Sequence, residues 1–252
     1  MSRRQQPFFV GYLAIPTGLR GWLGLYALIA FASFVVTALA VGLTQDNPGD
    51  GRAMGRQTVQ GVIEPAPYPI LHVTQGNDQI AAGDTLMLSG AGKFGVQDPA
   101  APLLGRKVEV TGVVLQRGTI RMLQVGNPRR NLTAVDGAPQ PPVPIAQDLG
   151  RWRLAGEICD GKCLAGAMRP GRGIAHKACA ELCIDGGVPP VFVTTQPVEG
   201  HEFLMIGSHD GGPVPDALLD QTAVFVSVEG KVELRGGLAV FLVDPDTIEI
   251  LQ

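Results

Sequence analysis

The side chains of this chain that can do chemistry are gathered in one stretch. It runs Cys159-Asp-Gly-Lys-Cys163 and then His176-Lys-Ala-Cys179-Ala-Glu-Leu-Cys183, and it holds all four cysteines and one of the four histidines. A thiolate is a nucleophile, a redox centre and a soft metal ligand, while a neutral imidazole is a base or a metal ligand. Gly173 to Cys183 reads as a helical run, stopped by Asp185-Gly186-Gly187. His176, Cys179 and Cys183 fall at i, i+3 and i+7, one stripe of that helix. Cys159 and Cys163, separated by a glycine-containing turn, leave a strand end and can face the stripe.

Three chemistries compete for this arrangement. An exported chain with an even cysteine count favours disulfides, which pair here as Cys159–Cys183 and Cys163–Cys179. A bridge closing so short a loop contributes roughly 3 kcal/mol in the chain-entropy picture. A second reading is a metal site in which Cys163, His176, Cys179 and Cys183 hold zinc or a softer ion. The third is a redox thiol pair, with His176 lowering a thiol pKa from the same helix face. The disulfide reading is the expectation carried forward, with the other two left open.

Nothing else in the chain has the spacing of a catalytic or cofactor motif. There is no C-x-x-C-H for haem, no phosphate-binding G-x-x-x-x-G-K-[ST] and no G-x-S-x-G. No catalytic or cofactor-binding residue is assigned, and a non-enzymatic role is expected. Asp160 and Lys162 read as a turn pair, His72 and His201 as strand or surface residues, and His209 as part of a loop. Arg117, Arg121, Arg129 and Arg130 read as a solvated face.

The elements that must position the stretch begin with an anchor. Residues 1–20 are a basic lead with Arg3, Arg4, Phe8, Phe9 and Tyr12. From Trp22 to Leu43 no side chain is charged. That run covers roughly 33 Å as a helix, enough to cross a bilayer core. Arginines precede it and Asp46 and Asp50 follow, which keeps the N-terminus in the cytoplasm and exports the rest. A cleaved signal peptide ending near Ala38-Leu39-Ala40 is the competing reading.

After a turn-rich linker at 44–55 come short β-type runs at Gln57–Ile63, Pro69–Thr74, Thr85–Ser89, Lys107–Leu115 and Thr119–Gln124. The tract Asp136-Gly-Ala-Pro-Gln-Pro-Pro-Val-Pro144 is too proline-rich for a strand or helix and reads as an extended spacer. Beyond it the pattern returns. Leu86-Met87-Leu88 matches Leu204-Met205-Ile206, and Val110-Thr-Gly112 to Arg117-Gly118 matches Val228-Glu-Gly230 to Arg235-Gly236 at the same offset. Gln60-Gly61-Val-Ile63 matches Ala155-Gly156-Glu-Ile158 at an offset shorter by the length of the cysteine segment.

The expected fold is therefore mainly β. A single transmembrane helix at 21–43 precedes two repeated small OB-like β-barrel domains, 56–135 and 149–252, joined by a spacer at 136–148. A Cys/His helical insertion at 159–187 sits in the second. A long strand with a central glycine suits such a barrel, where the glycine lets the strand bend between sheets. Nucleic acid is not an expected partner. The formal net charge is −3, and only seven aromatics lie beyond the apolar run, with no basic-aromatic patch.

Gly156-Glu-Ile-Cys-Asp160-Gly-Lys162-Cys163, Met168-x-Pro170-Gly171, His176-x-x-Cys179-Ala180-x-x-Cys183 and Gly186-Gly-Val-Pro-Pro190 together resemble a family of uncharacterised bacterial membrane-anchored proteins. The Phe8-Phe9-Val-Gly-Tyr12 lead resembles theirs too. The resemblance implies a membrane setting and a shared Cys163, His176, Cys179, Cys183 set. The chain departs from the family pattern at Cys159, a position where the family has an aliphatic residue, which weighs against twin disulfides as a family feature.

These readings converge on an exported accessory or assembly subunit, single-pass in the cytoplasmic (inner) membrane with its C-terminal domains periplasmic. Its expected partners are the bilayer and a membrane protein, taken as redox-active from the thiol cluster and the membrane setting. The alternative is a thiol-redox or metal-binding protein using Cys163, His176, Cys179 and Cys183. A reporter fused after Gln252 is expected to be active only outside the cytoplasm, and activity inside would reverse the orientation.

Overall fold

The computed structural model describes residues 15–44, 49–139 and 142–251. The basic lead with Phe8, Phe9 and Tyr12 lies outside the described residues, as do 45–48 of the first linker and 140–141 of the spacer. The chain divides into two units, Met1–Asn47 and Pro48–Gln252.

The first unit holds helix α1 (Thr17–Thr44). It starts directly after Pro16, whose carbonyl accepts from Leu19 N at 2.9 Å, and so takes in residues before Trp22. Thr17–Leu43 has a mean hydropathy of 2.2 and is long and apolar enough to cross a membrane, a test that a signal sequence also meets. Trp22, Leu28, Phe31 and Phe34 are exposed around the helix. So many bare apolar side chains on every side suit lipid better than water.

The second unit is mainly β. Its first sheet has β1 (Arg52–Glu64), β2 (Ile70–Gln75), β3 (Thr85–Ser89), β4 (Lys107–Arg117), β5 (Ile120–Val125) and β6 (Leu132–Ala134), with short helices α2 (Gln97–Ala100) and α3 (Pro128–Asn131) between. The order is β1-β2-β3-β5-β4-β6, and β1 also pairs with β4. The second sheet, β7 (Gln147–Asp160), β8 (Pro190–Val198), β9 (His201–Ser208), β10 (Phe225–Arg235) and β11 (Leu238–Ile250), closes as a barrel in the order β10-β11-β9-β8-β7. β1 and β7 both begin earlier than the sequence suggests, inside the segments read as linkers.

The two sheets carry the same pairings. Met87 pairs with Met122 in the parallel β3–β5 ladder, as Met205 pairs with Val240 in β9–β11. Gly61 opposes Val73, and Gly156 opposes Thr194. The glycines in the long fourth strands serve a close approach. A Cβ on Gly112 would lie 2.3 Å from the Gln124 carbonyl oxygen, and one on Gly230 would lie 2.4 Å from that of Leu242. No larger residue fits either place without moving backbone.

Each sheet has an apolar cluster of its own, around Leu71, Leu88 and Val114 in the first and Phe192, Ile206 and Phe241 in the second. A third cluster belongs to both: Ile70, Met87 and Met122 pack with Val191, Phe203 and Met205. Polar ties border it. Arg235 Nη1 donates to Glu64 Oε1 at 2.7 Å, Glu64 Oε2 meets His72 Nε2 at 2.7 Å, and Gly237 N donates to Thr85 Oγ1 at 3.2 Å. His72 is thus a buried strand residue rather than a surface one.

By register, Arg117 of β4 is the counterpart of Arg235, and Cys159 is the counterpart of Glu64. Arg117 therefore lacks the carboxylate that its twin has. It lies 5.6 Å over the Phe203 ring, its Nε has no partner, and burial lowers its pKa. The expected solvated arginine face holds for Arg129 and Arg130, which are exposed, and not for Arg117.

A shared cluster makes the sheets melt together. Residues 49–251 are expected to unfold in urea in one transition, with circular dichroism and Trp152 fluorescence coinciding. Met122→Ala, at a fully buried seam position, should lower the midpoint of that single transition, a loss of about 2–5 kcal/mol in unfolding free energy. Two separated transitions would show that the sheets are independent.

Candidate thiol and metal site

The cysteine stretch is a wedge between the sheets. β7 ends at Asp160, and the chain turns through Gly161 and Lys162 into an irregular helical turn, Cys163–Ala167. That turn packs against β1, β4 and β5 of the first sheet. Gly166 has φ 129°, and a Cβ there would strike the Arg52 nitrogen at 2.4 Å, so glycine is required for the turn to reach β1. A short turn, Ile174–His176, then leads into α4 (Lys177–Asp185). The α4 C-terminus is pinned to the first sheet: Gly95 N donates to Gly186 O, and Gln97 Nε2 donates to Gly187 O, each at 2.7 Å.

Asp160 is completely buried at the hinge of this wedge. Its Oδ1 accepts from the Cys163 backbone N–H at 2.8 Å, and its Oδ2 lies 3.0 Å from His176 Nε2. One carboxylate thus fixes the turn that carries Cys163 and the start of the helix that carries the other two thiols. A plain turn pair with Lys162 does not describe it. The Lys162 ammonium is itself buried and donates to the carbonyl oxygens of Gly90 and Gly92.

Three sulfurs converge. The Cys163, Cys179 and Cys183 Sγ atoms all lie within 4.8 Å of one another. A second group within the same limit is Asp160, Cys163 and His176. The expected four-residue set is therefore split. His176 follows a tight turn instead of continuing the helix stripe, and its imidazole is committed to Asp160. Cys163 alone belongs to both groups.

The expected disulfides are not formed: all four cysteines are free thiols. Cys159 shares a strand face with Glu157, two residues before it. Its thiol donates to Glu157 Oε1 at 3.2 Å. Burial first, and Glu157 beside it, push the Cys159 thiol pKa well up. Cys163 shares a hydrogen bond with Cys183 instead of bridging Cys179.

Electrostatics divide the thiols. The hydrogen bond from Cys163 lowers the Cys183 pKa to about 6, helped by Lys93 and Lys162 against burial and Asp160. The same hydrogen bond, with burial, raises that of Cys163. Lys93, from the loop after β3, donates to Cys179 Sγ at 2.9 Å and to Cys179 O at 3.1 Å, and lies 3.8 Å from Cys183 Sγ. Its hydrogen bond to Cys179 raises its own pKa.

A cavity of about 310 Å³ opens on the three thiols, lined also by Gln124, Lys162 and Met168. Both sheets contribute to it. Lys93, Lys162 and Met168 are the site residues that sequence reasoning missed. Met168 lay within a quoted motif, whereas Lys93 is far from the cysteines in the chain and carries no local signal. His201 and His209 take no part among the described residues. No family model, curated protein or solved structure matches the chain.

In the reduced, metal-free protein, Cys183 is expected to be a thiolate above pH about 6. Its alkylation rate by iodoacetamide should rise through that pH and level off near neutrality. Cys163→Ala removes the donated hydrogen bond and should move the midpoint upward toward the ordinary thiol range. Lys93→Met should move it the same way by less. Mass spectrometry of the labelled site reads both shifts.

Proposed function

We propose that this chain is a membrane-anchored, exported accessory or assembly subunit whose working part is a thiolate site for zinc or a softer metal ion. The observation that carries the reading is the convergence of Cys163, Cys179 and Cys183 on one open cavity. Structural zinc sites are closed by four ligands, whereas sites that exchange or present an ion keep a position open. Here three thiols face a cavity, and the fixed ammonium groups of Lys93 and Lys162 offset their charge.

In this reading α1 stays in the cytoplasmic membrane, the N-terminus is cytoplasmic, and the two sheets are periplasmic OB-like barrels used as a scaffold. The strand order, with the first, second, third, fifth and fourth strands paired in a ring, supports the OB-like assignment in both copies. A membrane redox complex is the partner class, supported by soft-metal thiolate chemistry held close to a bilayer. A second reading, thiol–disulfide exchange, draws on one observation: a Cys183 thiolate hydrogen-bonded to Cys163.

Metal analysis with thiol counting tests the proposal. The reduced protein is expected to bind one metal equivalent and to lose it in Cys163→Ser and in Cys179→Ser, while Cys159→Ser keeps it. A chelator should destabilise the loaded protein, since binding to the folded form is linked to stability. A folded, reduced protein that takes up no metal, yet cycles between two thiols and a Cys163–Cys183 disulfide, would establish the second reading instead.

A further inference from the structure

The donors around the cavity differ in kind from an ordinary zinc site. Besides the three thiols, its wall carries the Met168 thioether, half exposed at its edge, and the neutral Gln124 amide. The nearby carboxylate and imidazole are withheld. Asp160 and His176 are buried and spent on each other and on the Cys163 backbone. Thiolates hold zinc as well as Cu(I), but a thioether in place of histidine or carboxylate favours the softer ion.

We propose that the site takes monovalent copper, held by the thiolates of Cys163, Cys179 and Cys183, with Met168 as the thioether through which the ion enters and leaves. This rests on reading the thiol cluster as a metal site. Binding involves no electron transfer. Copper enters as Cu(I), each cysteine contributes a thiolate, and any thiol protons pass to solvent. A thioether on a flexible side chain is a weak, adaptable ligand, suited to a donor that hands the ion on.

The test uses the full-length protein in detergent micelles, reduced and kept anaerobic. It is titrated with the acetonitrile complex of Cu(I) against bicinchoninate, and in parallel with Zn²⁺ against a chromophoric chelator. The expected result is one Cu(I) retained against the competitor, and displacement of bound Zn²⁺ by an equimolar amount of Cu(I). Cys179→Ser should abolish Cu(I) retention, with circular dichroism confirming the fold. Met168→Leu, at a half-exposed position that leaves the core untouched, should keep the one-to-one stoichiometry and slow Cu(I) transfer to bicinchoninate several-fold. If Zn²⁺ is bound and resists equimolar Cu(I), copper is the wrong ion while the metal reading survives. If Met168→Leu exchanges copper at the wild-type rate, the thioether has no role and that part of the proposal falls. If the folded protein binds neither ion, the underlying metal reading fails as well.

Discussion

The site depends on one carboxylate. Asp160 has no exposure to water, and a buried charge persists only when its lone pairs are matched. Its two oxygens are divided between the Cys163 N–H and the His176 imidazole. Because these partners sit on different sides of the insertion, satisfying the carboxylate fixes the Cys163 turn and the start of α4 relative to each other. The thiols meet as a consequence. His176 is on this account a positioning residue, and its interaction with Asp160 removes it from the set of available ligands.

The second constraint is the seam between the sheets. The insertion reaches both: Gly166 touches β1, and Gly186 is packed so closely on Lys93 that a Cβ would meet its carbonyl oxygen at 1.8 Å. That closeness brings the Lys93 ammonium to Cys179. A single barrel would hold the cysteines but would lack Lys93 and Gln124 on the cavity wall. Repetition of the β unit thus has a physical use here: the first copy supplies charge and one wall to a cavity whose thiols belong to the second.

The repeat also carries an asymmetry at its seam. Where the first copy has Glu64, which receives Arg235, the second has Cys159, and Arg117 is left over an aromatic ring with an unpartnered Nε. A neutral thiol at that place keeps the insertion face apolar beside the shared cluster. It also explains why the fourth cysteine is chemically apart from the other three: its neighbour is Glu157, and burial keeps it protonated.

Local pattern was enough for much of this. The apolar stretch, the alternating strands, the returning Leu-Met-Leu and Gly-centred segments, and a helix through Cys179 and Cys183 follow from short-range periodicity, which a strand or helix imposes wherever it sits. Sequence also picked out the four thiols as the chemical material. It could not choose among disulfide, metal and redox chemistry, because the choice lies in distances between residues far apart in the chain. Tertiary structure turned Cys159 toward Glu157, committed His176 to a buried Asp160 that looked like a turn residue, and brought Lys93 across from the other sheet. Each of these is a long-range electrostatic or packing event, and no local pattern encodes which charge a folded chain will bury against which partner.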